Sequence, residues 1–316
     1  MVSDEWYMIV NPYAGSGKTL ERWEQARSQL ERSGVPFRYE FTEGEGTLPV
    51  KVCRACAAGY RHIAAVGGDG TVHETLSGIM AFLSTEEGSA YSPSDFTLAV
   101  IPIGSGNDWI RTTGVPRDPA AAAALLADHV TISQDVVRVT DASGKARYMV
   151  NVGGVGLDAR VCAKVNRYKA LGYRNRLLYA LALVASLRRH RCVDMLVRCD
   201  GNTIYSGPVY TIAVANGRYS GGGFRQTSPL TALDDGLLDV SVVPRINVFQ
   251  FLAKVPTILT GTLYRRKPVM AFRCRRLEVL PSGQRGSVYE VDGEVPGTIP
   301  VTMETSGDRI NVVVPR

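Results

Sequence analysis

The stretch GGDGTVHE at positions 67–74 governs the interpretation of this sequence. An apolar run at 62–66, predicted as a buried strand, precedes it, and a helical pattern at 71–83 follows it. Glycines in such a loop let the backbone approach a ligand closely, and the start of the following helix attracts anions. The pattern therefore predicts a phosphate-binding loop between a strand and a helix.

The polar residues of this loop have two interpretations. Asp69 carries a carboxylate that could meet Mg²⁺ or a ribose, and Thr71 could donate a hydrogen bond to phosphate. Thr71 and Glu74 also have the spacing of a capping box, so an ordinary well-capped helix is the alternative.

Two further loops have the same design. NPYAGSGKT at 11–19 follows a predicted strand, but Pro12 stands where a P-loop requires glycine, which argues against a P-loop nucleotidase. IPIGSGNDWIR at 101–111 follows another strand, and its polar residues are Ser105, Asn107 and Asp108. We expect the three loops to lie side by side, because open α/β sheets bind ligands at the carboxyl ends of neighbouring parallel strands.

The surrounding pattern divides the chain into two domains. Before position 130, strands predicted at 5–11, 36–42, 62–66 and 96–101 alternate with helices predicted at 19–33, 48–58, 71–83 and 119–127. This rhythm predicts an α/β domain with a mostly parallel sheet over residues 1–130. Residues 131–316 contain many short strands separated by turns, which is typical of a β-rich sandwich or barrel, and the last strand is free to return to the first domain. These strands are predicted at 136–139, 147–152, 193–199, 203–205, 209–215, 237–243, 277–280, 288–291, 301–304 and 310–314. We expect the binding site in the cleft between the domains.

The basic character of the chain is concentrated in one segment. The net charge is +6, yet residues 160–191 contain nine Lys and Arg and no Asp or Glu. Within this segment lies an apolar stripe of Leu177, Leu178, Leu181, Val184 and Leu187. A basic, acid-free segment with an apolar stripe suits an anionic membrane surface, although a core-facing helix with a basic rim is the alternative.

Composition also excludes several classes of protein. The uncharged run at 177–187 is eleven residues long, whereas a membrane-spanning helix needs about 20, and we see no signal peptide. Six scattered cysteines indicate reduced thiols and a cytoplasmic protein. No zinc-finger, homeodomain or RNA-binding pattern supports a nucleic-acid partner.

The order of motifs resembles a known family. NPxAGxGK, then GGDGTxxE, then PxGSGND is similar to the catalytic domain of the diacylglycerol kinase family, which includes sphingosine and ceramide kinases and bacterial lipid kinases. Later motifs follow in the family's order at 151–159, 216–224, 231–240 and 289–294. GGDGT alone is shared with NAD kinases and phosphofructokinases, whose α/β domain this resemblance implies.

The resemblance implies ATP and Mg²⁺ as cofactors and assigns site residues. Asp69 would lie nearest the phosphates, and either Asp292 or Glu294 of the DGE motif would take the proton from a lipid hydroxyl. A metal would bind Asp235 and the backbone carbonyls of Ala232 and Leu237. The nucleotide would contact Asn11, Pro12, Ala14, Gly15, Thr42, Gly67, Gly68, Asp69, Gly70, Thr71, Val72, His73, Glu74, Ser105, Asn107 and Asp108. His73 departs from the asparagine that is usual in the family.

The function expected on these grounds is ATP-dependent phosphorylation of a lipid hydroxyl, with diacylglycerol as the leading acceptor and phosphatidic acid as the product. The protein would be peripheral to the membrane, and a homodimer is left open. The alternatives are a kinase of a sphingoid base or another lipid alcohol, an NAD kinase-like enzyme with a soluble acceptor, and a silent nucleotide-binding regulator.

Overall fold

The structure is a computed structural model. It describes residues 3–15, 19–44, 46–171, 178–187, 190–225, 228, 231–284 and 286–316. The chain forms two compact units, the first comprising Met1–Asp135 and Asp308–Arg316 and the second Val136–Gly307.

The first unit is built on a parallel sheet. Its strands are β1 (Ser3–Val10), β2 (Phe37–Phe41), β3 (Tyr60–Gly67) and β4 (Thr97–Pro102), in the spatial order β4-β3-β1-β2. The end of the last strand, β15 (Val301–Val314), pairs in parallel with β4. The helices are α1 (Thr19–Arg32), α2 (Thr47–Ala57), α3 (Asp69–Leu83), α4 (Trp109–Thr113) and α5 (Pro119–Ala124), with 3₁₀ turns at Gly88–Ala90 and Pro93–Asp95.

Helical spacing of apolar residues anchors these helices on the sheet. In α1, Trp23, Ala26 and Leu30 are fully buried and pack against Met8 of β1 and Ala64 of β3 in one core cluster. The intervening positions of α1 are mostly exposed, as a half-buried helix requires. The predicted α/β domain with its parallel sheet is thus confirmed.

The second unit is rich in antiparallel strands. Its main sheet has the order β14-β13-β7-β9-β8-β12-β15, and β10 joins β9 to β11. Strand β5 (Val130–Asp141) begins in the first unit and ends in the second. The other strands are β6 (Ala146–Met149), β7 (Val152–Gly156), β8 (Val193–Cys199), β9 (Asn202–Ala215), β10 (Leu238–Pro244), β11 (Met270–Cys274), β12 (Arg276–Pro281), β13 (Val288–Val291) and β14 (Glu294–Thr298). The helices are α6 (Leu157–Ala170), α7 (Leu178–Leu187), α8 (Val248–Leu252) and α9 (Val255–Leu259), with a 3₁₀ turn at Leu263–Arg265. The predicted β-rich domain is confirmed.

Several predicted boundaries were wrong for local reasons. A single strand predicted over 147–152 is divided into β6 and β7, because the backbone N–H groups of Val150 and Asn151 donate to the Asp292 carboxylate instead of to a strand. Separate strands predicted at 203–205 and 209–215 form one strand, β9. Helix α3 begins at Asp69, since Gly68 is still extended, so Thr71 lies inside the first turn and the capping box with Glu74 does not form.

A buried arginine stabilises the first unit. The Arg61 guanidinium lies 4.1, 4.9 and 5.4 Å from the ring centroids of Tyr91, Phe96 and Phe82. It also donates to the carbonyl oxygens of Cys56 and Tyr60, each at 2.8 Å. The cation is therefore desolvated but compensated by aromatic faces and carbonyl dipoles.

We expect Arg61→Ala to lower the free energy of unfolding by about 2–4 kcal/mol, because it leaves a cavity between three rings and two buried carbonyl groups without donors. Urea titration of the purified variant measures this change. Arg32→Ala, on an exposed turn of α1, is the control, with an expected change below about 0.5 kcal/mol. Equal effects of the two substitutions would contradict the packing described for Arg61.

Candidate active site

Three loops of the first unit meet at the carboxyl ends of β1, β3 and β4, which are neighbours in the sheet. The carbonyl oxygen of Gly67 accepts hydrogen bonds from the N–H groups of Ile103 (2.9 Å) and Gly104 (3.1 Å). A Cβ added at Gly104 would lie 2.6 Å from the Gly68 Cα, so neither loop has room for a side chain there. The absence of side chains is what allows the two loops to contact each other.

The first loop is tied to the other two. The Asn11 side chain donates to the Thr71 hydroxyl at 3.3 Å, and its Oδ1 accepts the Tyr13 N–H at 3.0 Å. Gly15 has a φ of 78°, and a Cβ there would lie 2.6 Å from the Ile103 carbonyl oxygen. Residues 16–18 of this motif, including Lys18, lie outside the described residues.

Asp69 connects the second loop to the third. Its Oδ1 accepts the backbone N–H of Trp109, the first residue of α4, at 3.0 Å. A Cβ at Gly106 would lie 3.0 Å from Asp69 Oδ2. The carboxylate thus fixes the position of the third loop while lying beside its glycines.

Asn107 is the most constrained residue of the third loop. It is buried with a φ of 54°, and its side-chain amide donates to the Gly104 carbonyl oxygen at 2.9 Å. Its Oδ1 is buried and has no hydrogen-bond partner among the described residues. A buried carbonyl oxygen without a donor is costly, and a bound ligand that donates a hydrogen bond would compensate it.

The other residues predicted to contact the nucleotide occupy different environments. Ser105 is exposed, Thr42 is buried at the end of β2, and Asp108 forms an ion pair with Arg111 (3.3 Å). Val72 and His73 are buried on α3, Glu74 is half-buried there, and Gly70 has open space where a side chain would project. Pro12 and Ala14 lie half-buried in the first loop.

In the second unit the DGE motif forms a tight turn between β13 and β14. Asp292 has a φ of 48° and Gly293 a φ of 89°, both in the left-handed region. The Asp292 carboxylate accepts three backbone N–H groups, from Val150 (3.0 Å), Asn151 (2.9 Å) and Val152 (3.2 Å). This carboxylate is an anchor for the turn.

Glu294 differs from Asp292 in its surroundings. It is the first residue of β14 and is exposed, whereas Asp292 is half-buried. Asn166 of α6 also holds the turn by donating to the Gly293 carbonyl oxygen at 2.9 Å. Glu294 is therefore an accessible carboxylate on a rigid turn.

Comparison with known proteins gives the family. Residues 5–139 match the diacylglycerol kinase catalytic domain, and residues 151–314 match the YegS C-terminal NAD kinase beta sandwich-like domain. The chain belongs to the diacylglycerol kinase family of lipid kinases. A Stenotrophomonas maltophilia protein named "Probable lipid kinase YegS-like" is 30% identical over 93% of this chain and 91% of its own length.

One further relative and one solved structure cover nearly the full length of this chain. A Mycobacterium tuberculosis protein named "Diacylglycerol kinase" is 27% identical over 98% of this chain and 94% of its own. The crystal structure of a diacylglycerol kinase from Bacillus anthracis superposes with a TM-score of 0.71 at 21% identity, covering 99% and 97% of the two chains. That likeness shows a shared fold.

Glu290, two residues before the DGE turn, was not predicted as a site residue. Glu290 is fully buried, and one of its oxygens accepts the Gly293 N–H at 2.8 Å. A Cβ at Gly154 would lie 3.6 Å from Glu290 Oε1 and 3.5 Å from Asp158 Oδ2, so both carboxyl groups lie beside the same glycine. Burial, and then the Asp158 carboxylate, raise the pKa of Glu290 well above its usual range. No pattern in the sequence separates such a residue from an ordinary exposed strand glutamate.

An apolar cavity lies close to these carboxyl groups within the second unit. It measures about 50 Å³, which is room for only a few methylene groups. Asp158 and Thr211 are its polar lining residues along with Lys254. The apolar lining residues are Leu157, Val161, Leu183, Phe224, Val243, Ile246, Phe251, Ile258 and Leu263.

Asp235 is the one carboxylate among the predicted metal ligands. Asp235 pairs with the Arg273 guanidinium and also accepts the Leu237 N–H (3.0 Å), so a cation already compensates its charge. Within the described ranges no three His, Cys, Asp or Glu side chains lie close enough to hold a metal. Metal binding by Asp235, Ala232 and Leu237 stays a prediction, and we derive no reaction step from it.

Glu290→Gln should flatten the dependence of stability on pH. The pKa of Glu290 is higher in the folded protein than in the unfolded chain, where it is about 4.3, so stability falls as pH rises above that value. Glutamine imitates the neutral acid and removes this loss. Urea unfolding at pH 5 and pH 8 would show a smaller difference for the variant than for the original chain. Glu294→Gln on the same hairpin serves as the control. If the stability of Glu290→Gln depended on pH as strongly as that of the original chain, this would contradict the raised pKa of Glu290.

Proposed function

We propose that this chain transfers the γ-phosphate of ATP to the hydroxyl group of diacylglycerol and so forms phosphatidic acid. The observation that carries the proposal is that the two carboxylates of the DGE turn have different surroundings. Asp292 is used by three backbone hydrogen bonds, which leaves Glu294 as the accessible carboxylate on a fixed backbone. Membership in the diacylglycerol kinase family supports the reaction class.

The first unit binds ATP in this proposal. Its three glycine loops present backbone N–H groups at strand ends and at the start of α3, where phosphate binds in α/β proteins. The buried, unpartnered Oδ1 of Asn107 would accept a hydrogen bond from the nucleotide. ATP would arrive with Mg²⁺, which neutralises phosphate charge, and Asp69 is the carboxylate at the meeting point of the loops.

The second unit supplies the base and the lipid site. Glu294 takes the proton from the acceptor hydroxyl as that oxygen forms a bond to the γ-phosphorus. The bond between the γ-phosphorus and the bridging oxygen breaks, and ADP leaves with the electron pair. The apolar cavity lined by Leu183 and Phe251 suits an acyl chain, and its small size requires the helices that line it to move apart on binding.

Glu294→Gln should lower kcat by at least about 100-fold, because glutamine does not accept the hydroxyl proton. The unfolding midpoint should not change, since Glu294 is exposed. Transfer of labelled phosphate from ATP to dioctanoylglycerol measures the first quantity, and urea titration measures the second.

Asp292→Asn is the matched comparison. It weakens three hydrogen bonds to a carboxylate, so we expect a loss of about 1–3 kcal/mol in the free energy of unfolding. A fully active Glu294→Gln enzyme, together with an inactive and equally stable Asp292→Asn enzyme, would reverse the two roles.

Gly104→Ala should weaken ATP binding at least tenfold, because the added Cβ would lie 2.6 Å from the Gly68 Cα and separate two of the loops. Gly283→Ala adds the same methyl group on an exposed turn, where the nearest atom, Asp194 Cβ, would lie 4.0 Å away, and this variant should bind ATP like the original protein. Isothermal titration with ATP and Mg²⁺ distinguishes them. Equal affinities in both variants would remove the third loop from the nucleotide site.

A further inference from the structure

One region of the second unit exposes an unusual amount of apolar surface. All large apolar side chains that are exposed in this unit, among the described residues, lie on α7, on α8 or directly after the end of α6, which contacts α7. They are Leu171 (65% exposed), Leu181 (60%), Val184 (59%), Phe249 (79%) and Leu252 (50%). We call these five residues the apolar patch. Clustering of apolar side chains on a surface exposed to water marks an interaction site.

The inner faces of the same helices are already occupied. Leu183 of α7 and Phe251 of α8 line the same apolar cavity. Ala182 is fully buried, whereas Leu181 and Val184 of the predicted stripe face outward, so the stripe is not simply a core face. Leu177 lies outside the described residues, and the side chain of Leu178 is not described. The patch thus borders the cavity on its outer side.

The two segments that carry the patch contain basic but no acidic residues. No Asp or Glu occurs in residues 159–193 or 240–272, and these segments carry nine and five Lys and Arg respectively. Arg174, Arg176, Arg188 and Arg189 of the first segment lie outside the described residues. In the second segment Arg265, Arg266 and Lys267 are exposed, and the Lys254 ammonium donates to the Lys267 carbonyl oxygen at 2.7 Å, which places them beside α8.

We propose that the apolar patch and the basic residues 265–267 dock the protein on a bilayer that contains anionic lipids, with α7 and α8 entering the interface. Exposed Phe and Leu side chains enter the boundary between headgroups and acyl chains, while Lys and Arg attract anionic headgroups. A protein partner of ordinary mixed charge would not require two acid-free segments around one apolar surface. The charge complementarity therefore favours a bilayer over a second copy of this chain.

Docking in this way gives the cavity a route to its ligand. The cavity lies directly beneath helices whose outer faces contact the bilayer, so an acyl chain could pass from the membrane to the cavity without crossing water. This route rests on the proposed function, whereas docking itself does not.

Flotation of the intact protein with vesicles tests the docking. Vesicles of phosphatidylglycerol and phosphatidylcholine in about equal parts should bind the protein, and pure phosphatidylcholine vesicles should bind it at least tenfold less. Phe249→Ser with Leu252→Ser should weaken binding at least tenfold. Leu20→Ser with Val50→Ser removes comparable exposed side chains from the first unit and should leave binding unchanged.

Reversing the charge of the basic residues 265–267 provides a second test in the same vesicle-binding experiment. Arg265→Glu, Arg266→Glu and Lys267→Glu together should abolish binding to the anionic vesicles. The matched reversal of Arg32, Arg117 and Lys145, which are exposed elsewhere, should reduce it only slightly. If both triple variants lost vesicle binding equally, the loss would be explained by net charge alone, and the proposed surface would be overturned. A Phe249→Ser, Leu252→Ser protein that binds vesicles normally but changes from dimer to monomer would also overturn it, in favour of a second copy.

Activity measurements separate this proposal from the proposed function. The patch variants should lose activity toward long-chain diacylglycerol in anionic vesicles but keep activity toward dispersed dioctanoylglycerol. Vesicle binding that depends on the patch without phosphorylation of any diacylglycerol would contradict the proposed function and leave docking intact. Phosphorylation of vesicle diacylglycerol that is unaffected by the patch substitutions would contradict docking and leave the function intact.

Discussion

The Asp292 carboxylate provides the constraint on which the second unit's site depends. Three consecutive backbone N–H groups, from 150 to 152, point to this one side chain, and the strand β7 begins only at the last of them. The same segment is held from its other side, because the Asn151 carbonyl oxygen accepts N–H groups from Asn216 and Gly217. Motifs separated by more than a hundred residues are fixed together in this way, and the turn that carries Glu294 becomes rigid. A base on a rigid turn loses little entropy when it meets its substrate.

Close packing of glycines has the corresponding role in the first unit. Gly68 and Gly104 approach so closely that any side chain would separate two loops, and Gly15 lies against the Ile103 carbonyl group. The second unit has similarly close packing at Gly154, where an added Cβ would lie 2.8 Å from the Ile212 carbonyl oxygen. The position that a side chain of residue 154 would occupy lies beside the carboxyl groups of Glu290 and Asp158. Burial and the neighbouring Asp158 carboxylate both disfavour a charge on Glu290, which explains why its pKa is raised.

Sequence patterns predicted the features that have a period or a fixed order. Trp23, Ala26 and Leu30 revealed α1 because a half-buried helix repeats its apolar face. The loop order placed the three glycine loops at neighbouring strand ends. Strands β11 and β14 were missed because each has only five residues. Strand β14 contains Pro296 and Gly297, which are uncommon in strands, and β11 has only Met270, Phe272 and Cys274 to mark its apolar face. The different environments of Asp292 and Glu294, the burial of Glu290 and the pairing of Asp235 with Arg273 arise from contacts between distant segments, which no local pattern encodes.

The most direct test of the central claim is a comparison of acceptors. The purified chain would receive labelled ATP and Mg²⁺ with dioctanoylglycerol, a sphingoid base, phosphatidylglycerol or NAD, each at the same concentration, with initial rates of label transfer as the readout. The account predicts the fastest transfer to dioctanoylglycerol, with phosphatidic acid as the labelled product. Rapid transfer to NAD and no labelled lipid would contradict it.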